Sequence, residues 1–189
     1  MSLQATTWQT VGPYFRIGLA RLFNADIAGE NVQGERIAVQ GRVLDGDGVP
    51  VSDAMIEVWQ ANAAGKYAHP EDTQDKPLEQ GFRGFGRIPT DDNGYFRFTT
   101  IKPGPVPGPE GFVQAPHLVI GLTMRGLLRG LVTRAYFEHE PLNQADPILQ
   151  LVEPARRDTL MLQRSPQHAN LFLWQIRMQG ERETVFLEF

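Results

Sequence analysis

Residues 91–101 read D-D-N-G-Y-F-R-F-T-T-I, and this stretch sets the fold class. Asn93-Gly94 is a tight-turn pair, because glycine enters the left-handed region without a Cβ penalty. The segment it feeds, from Tyr95 to Ile101, alternates with the period of a half-buried strand. Just beyond, Pro103, Pro105, Pro107 and Pro109 alternate with other residues. Each proline removes a backbone donor and fixes φ, so an extended loop is predicted there. From His117 the chain alternates again. If that strand runs unbroken, His117, Val119, Gly121, Thr123 and Arg125 face one way, and Leu118, Ile120, Leu122 and Met124 the other. The proline loop then delivers a histidine to the start of a strand, with an arginine further along the same face.

Working outward, residues 37–44 alternate as a strand closed by Asp45-Gly46-Asp47-Gly48. That string lacks the later positions of a calcium loop and Pro50 interrupts it, so it reads as a turn. Residues 54–60 are almost continuously apolar, which predicts a strand buried on both faces. Glu57 interrupts the run and must find a donor or an edge, since a bare buried carboxylate is costly. Residues 61–86 have no period, and long aperiodic stretches in compact domains tend to be functional. Further strands are predicted at 131–137, 171–178 and 184–189, the last running to the final residue. Short helices are expected at 17–24, from Ile148 after Asp146-Pro147, and within 154–162. Residues 25–35 read as polar connection. In residues 1–16, Trp8, Val11, Tyr14 and Phe15 are too apolar for a free tail, so the arm must dock on its own domain or on a neighbouring chain.

The expectation is an all-β fold, an antiparallel β-sandwich over residues 35–189, with an N-terminal arm and connection at 1–34 and a few short helices. Together they form one domain, 1–189, a length that can bury a proper core. The net charge of −4 gives no reason to expect a nucleic-acid or membrane partner. The chain has no cysteine, which removes disulfides, zinc-thiolate sites and thiol nucleophiles. With no leader-like or membrane-length apolar run, a cytoplasmic location is expected. Hydrolase elbows, phosphate loops and dinucleotide fingerprints are all missing, and the four histidines lack zinc-site spacing. The oxygen and nitrogen ligands worth pairing are Tyr67 in its loop and His117 at its strand start.

Four segments occur together and in order: I-E-V-W-Q-A-N-A-A-G-K-Y at 56–67, G-F-G-R at 84–87, T-D-D-N-G-Y-F-R-F-T-T-I-K-P-G at 90–104 and A-P-H at 115–117. The set resembles the intradiol ring-cleavage dioxygenases. T-V-G-P-Y at 10–14 and Q-G-E-R-E-T-V-F at 179–186 resemble the non-metal chain of that family's two-chain members. The resemblance implies a β-sandwich and, in catalytic chains, a ferric ion held by two tyrosines and two histidines. Tyrosinate oxygens are hard anionic donors that suit Fe(III). Carried over residue by residue, Tyr67 falls on the first tyrosine and His117 on the first histidine. Val106 stands at the second tyrosine, Val119 at the second histidine, and Gln114 at an arginine.

Valine coordinates nothing, so the expectation is no metal and no catalytic residue in this chain, with Tyr67 and His117 vestigial. The resemblance further implies an iron-bearing partner chain, Fe(III) held by that partner, and a higher oligomer of the pairs. The implied substrate is 3,4-dihydroxybenzoate, cleaved with O2 to 3-carboxy-cis,cis-muconate. Gly12, Pro13, Tyr14 and Arg125 are the implied substrate-binding residues, with Arg129 and Arg134 ranked lower. The other reading is a stand-alone β-sandwich binding module that has lost this chemistry. An independent catalytic dioxygenase is disfavoured by Val106 and Val119.

Overall fold

In the computed structural model the described residues are 6–188, so residues 1–5 of the arm and Phe189 lie outside them. The strands, in chain order, are β1 (Arg36–Leu44), β2 (Met55–Trp59), β3 (Phe85–Pro89), β4 (Tyr95–Ile101), β5 (Val106–Pro107), β6 (Val113–Gln114), β7 (His117–Thr123), β8 (Leu131–Phe137), β9 (Met161–Arg164) and β10 (Leu171–Arg177). Eight of them form one sheet in the order β3-β2-β7-β8-β9-β10-β1-β4, and β5 and β6 make a separate small ribbon. The two outermost strands, β3 and β4, are joined directly by the 90–94 turn. The sheet therefore curls until its ends approach around one core. That core takes Val39, Val58, Ile88, Phe98, Leu118 and Phe172 from strands all round the order.

The strand from His117 keeps its predicted faces: Leu118, Ile120 and Leu122 enter the core, while Val119, Gly121 and Thr123 are half-buried on the other side. The expected 91–94 turn forms, with Gly94 at φ +74° and the Asp91 carboxylate accepting from the Asn93 and Tyr95 amides. Asp45 does the same for Asp47 and Val49, which makes the D-G-D-G string a turn. Glu57 finds its donor on β3, accepting from Arg87 Nε at 2.7 Å. Its strand is less enclosed than expected: Glu57 and Trp59 are half-buried rather than buried.

Several expectations are overturned. The sheet is mixed and not purely antiparallel, because β1–β10 and β8–β9 pair parallel. Alternation along a strand reports its two faces but carries no information on the direction of its neighbour. β9 lies at the end of a segment read as helical; a 3-10 helix covers Pro154–Leu160 and the chain then extends. β3 emerges from the aperiodic stretch, its two-residue period masked by glycine and proline. Residues 184–188 form no strand, only a bridge in which the Leu187 amide donates to the Val132 carbonyl at 2.7 Å. The arm helix, α1 (Pro13–Leu19), begins four residues earlier than expected, with Pro13 at its N-terminus where a missing N–H costs nothing. The 25–35 connection is not merely polar, since Ile27 and Ala28 are fully buried. As expected, Asp146 caps a short helix, α2 (Pro147–Leu151). Among the described residues, no helix is long and apolar enough to cross a membrane.

Candidate functional site

β7 is paired by β2 on one side and β8 on the other, which places Trp59, Val119 and Arg134 in one cross-strand row. The neighbouring rung pairs His117 with Tyr136. Directly opposite side chains share a face, so this row and rung meet on the side of the sheet away from the core. Tyr67 joins from the loop after β2 by stacking on Trp59, with ring centroids 5.8 Å apart. The loop holds without any period because Asn62, fully buried, accepts from the Ala64 and Lys66 amides and donates to Pro77 O and the Glu79 carboxylate. The proline loop closes over it, with the Gly104 amide donating to Asn62 O at 2.9 Å. A side chain at Gly104 would lie 2.3 Å from Ala63 O, so the glycine of K-P-G is required by this approach. Val106 lines the resulting hollow beside Trp59 and Tyr67.

Arg134 is the charge at this face, and only 8% of it is exposed. Its Nη1 donates to Gln114 Oε1 at 2.7 Å and lies 3.5 Å from the Tyr136 hydroxyl, which donates to Asp146 Oδ1 at 3.0 Å. Asp146 also accepts from the amides of Ala115, Ile148 and Leu149. Its full set of donors offsets the cost of burying a carboxylate. Burial, with Arg134 beside it, lowers the His117 imidazole from 6.5 to about 4. His117 is thus neutral, and its Nδ1–H donates to Ala115 O at 2.7 Å. Burial raises Tyr67 above the usual phenol range, Arg134 opposing and Asp72 adding to the shift. Tyr136 is raised as well, again chiefly by burial.

The structure thus gathers Tyr67, His117, Val106, Val119 and Gln114 around one guanidinium. A ferric ion needs a shell of anionic or imidazole donors. Val106 and Val119 offer hydrocarbon, and a fixed cation already stands among the remaining donors. The residues present do not fit that metal.

The other anticipated residues sit elsewhere. β7 ends at Thr123 and the chain turns, so Arg125 is not on the His117 face as an unbroken strand would place it. Six strand rises separate His117 from Thr123, about 20 Å. At that far end Gly12, Pro13 and Arg125 line one hollow with Phe15, Ile17 and Asp53. Arg125 Nε pairs with the Asp53 carboxylate, and the side chain is 71% exposed. Tyr14 is 83% exposed and does not line this hollow. The arm is fastened there by Arg16, which donates to Ser52 O at 2.8 Å and Thr90 O at 3.1 Å, and by Thr10 Oγ1, which accepts from the Gly126 amide at 2.9 Å. Arg129 pairs with Glu188 at the surface. The sequence names none of Asp53, Trp59, Tyr136 and Asp146 as a site residue, and it ranks Arg134 only as a substrate contact. The signal for its larger role is the single charge in the otherwise uncharged L-V-T-R-A-Y-F.

Residues 12–180 match the family model described as Dioxygenase. The chain is 40% identical to the protocatechuate 3,4-dioxygenase alpha chain of Burkholderia cepacia, over 99% of this chain and 98% of that protein. It is 48% identical to the beta chain from the same organism, over 68% of this chain and 55% of that protein. Among solved structures, the dioxygenase domain of a dioxygenase and carbohydrate-binding protein fusion from Streptomyces sp. SirexAA-E matches with a TM-score of 0.64. The match has 22% identity and covers 86% of this chain and 89% of that one.

Proposed function

Since this chain belongs to the dioxygenase family, we propose that it is the alpha subunit of a protocatechuate 3,4-dioxygenase, paired with a beta chain that carries the ferric ion. The observation behind this reading is the separation of the two ends of β7. One end has the family's ligand positions with half their donors missing and Arg134 among the rest. The other has Gly12, Pro13 and Arg125 around an exposed hollow, about 20 Å away. A hollow that far from this chain's own vestigial centre is placed to serve a centre supplied by another chain.

The complete reaction takes 3,4-dihydroxybenzoate and O2, breaks the ring bond between the two hydroxyl-bearing carbons, and leaves both oxygen atoms in 3-carboxy-cis,cis-muconate. Ferric ion held by the partner would supply the activation of the catechol. This chain's part is binding and orientation. Arg125 keeps donors beyond the one used on Asp53, and a guanidinium matches the geometry of a carboxylate. Asp53 holds it in place and tempers its charge, so the anionic substrate is bound without being trapped. Gly12 and Pro13 form a low wall at the start of α1, and the exposed Tyr14 has a ring and a hydroxyl free to meet a partner. Several αβ pairs assembled into a larger particle, in the cytoplasm, complete the proposal.

The test is to produce the chain alone and together with its beta chain, then measure bound iron and turnover of 3,4-dihydroxybenzoate. Activity and iron only in the paired preparation are expected. A lone chain with stoichiometric ferric ion, a tyrosinate charge-transfer colour and turnover would sink the proposal.

A further inference from the structure

We propose that Arg134 is the resident cation of the Tyr67–His117 centre, a guanidinium built into the sheet that bars a metal ion from the donors that remain there. The inference rests on the reading of Tyr67, His117, Val106 and Val119 as the matched ligand positions, and it goes further by assigning the exclusion to a residue outside that set.

Three features carry it. Arg134 lies directly across from Val119 in the β7–β8 pairing, so its stem rises beside a ligand position and on the same face. The guanidinium is held there through Nη1, which donates to Gln114 on β6 at 2.7 Å and lies 3.5 Å from the hydroxyl of Tyr136, two residues along its own strand. Its compensating anion, Asp146, is reached only through the Tyr136 hydroxyl, and that carboxylate's oxygens are already taken by Ala115, Ile148 and Leu149. Asp72, the carboxylate that acts on Tyr67 from the other side of the hollow, has its oxygens taken by the Tyr67 and Gln74 amides and the Gln74 side chain rather than by Arg134. Among the described residues Arg134 Nε is buried with no hydrogen-bond partner. An orphaned donor is tolerated where geometry over-determines a side chain, and here strand pairing and the Nη1 contacts with Gln114 and Tyr136 do so. A multivalent cation entering this centre would meet a like charge in a poorly hydrated setting, where repulsion is far stronger than in water. The missing ligands are therefore only half of the barrier.

The consequence is specific. Restoring both donors with Val106→Tyr and Val119→His does not by itself rebuild a metal centre. The full chain is prepared in five forms: unaltered, V106Y/V119H, and that double variant with R134M, R134K or R134Q. Each is checked for native circular dichroism and titrated with ferric citrate. The readouts are bound iron and the tyrosinate-to-iron absorption band, neither of which needs activity. Methionine keeps an unbranched stem without charge, lysine keeps the charge without the fork, and glutamine replaces methionine if the R134M form is not native.

The neutral triple variant is expected to bind ferric ion at least about tenfold more tightly than both the double variant and the lysine form. Equal iron affinity with and without the positive charge overturns the proposal. So does failure of every native form to bind, because removing the charge would then not have opened the centre. Iron bound by the unaltered chain would instead defeat the functional reading, so the two failures are distinguishable.

Discussion

His117 opens β7 and Arg125 lies just past its far end, and each makes a separate prediction. In the assembled enzyme, Arg125→Ala should raise KM for 3,4-dihydroxybenzoate by about 10- to 100-fold, the loss expected for a charge-assisted hydrogen bond. The resting iron absorption should not change, because in this scheme Arg125 contacts the substrate and not the metal. A KM and kcat both unaltered would remove it from the pocket. His117 reports on burial instead. Its imidazole is lowered in the folded chain to about 4, so as pH falls the unfolded chain takes the proton first. Its contribution is complete above about 6.5 and is lost between 6.5 and about 4, an amount of about 3 kcal/mol. His117→Asn keeps a donor for Ala115 O and cannot titrate. Urea midpoints at pH 7 and pH 4.5 should therefore differ less for the variant than for the unaltered chain, and an equal difference would show that His117 is not the group responsible.

At the scale of elements, one tight fit is between β1 and β4. Gly41 faces Phe96 in the antiparallel pairing, and a Cβ there would lie 2.1 Å from the ring. Phe96 is itself buried and stacks on Phe98, so the ring has nowhere to retreat. Gly41→Ala should destabilise the chain by about 1–3 kcal/mol through overpacking. Adding Phe96→Leu should return part of that loss, since the clash is with the aromatic ring; a double variant weaker than the sum of the two single ones would contradict this account. The arm helix α1 is the opposite case. It buries none of its residues and is fixed by hydrogen bonds from Arg16 and to Thr10. A segment with polar anchors and an unburied apolar face has been positioned by its own domain and left for something else to cover.

For the molecule as a whole, we propose that uncovered face as the surface that meets the partner chain. Trp8 is 68% exposed and Ile17 66%, and Leu22 and Tyr14 are exposed too. All four belong to the arm that carries Gly12 and Pro13, so this proposed interface is continuous with the proposed substrate wall. Ile17→Glu with Leu22→Glu should weaken association with the beta chain by more than about tenfold, because charges in the centre of an interface remove its best-packed contacts. Light scattering on the co-purified pair measures this directly. Retention of the full assembly by the double variant would mean that the arm's apolar face lies outside the interface.

What the sequence determined by itself was the local grammar. The 91–94 turn, the faces of the strand from His117, the donor demanded by Glu57 and the impossibility of a metal ligand at Val106 or Val119 all follow from single side chains and their spacing. Periodicity reports which way a side chain points from its own strand, and valine has no lone pair in any fold. The tertiary structure decided whatever depends on a neighbour. It set the parallel pairing of β10 beside β1, the strand inside a helical-looking segment, the end of β7 before Arg125, and the meeting of Arg134 with Gln114 twenty residues away in the chain. Those outcomes come from closing one curled sheet around a shared core, where packing across long connections selects partners that no local pattern names.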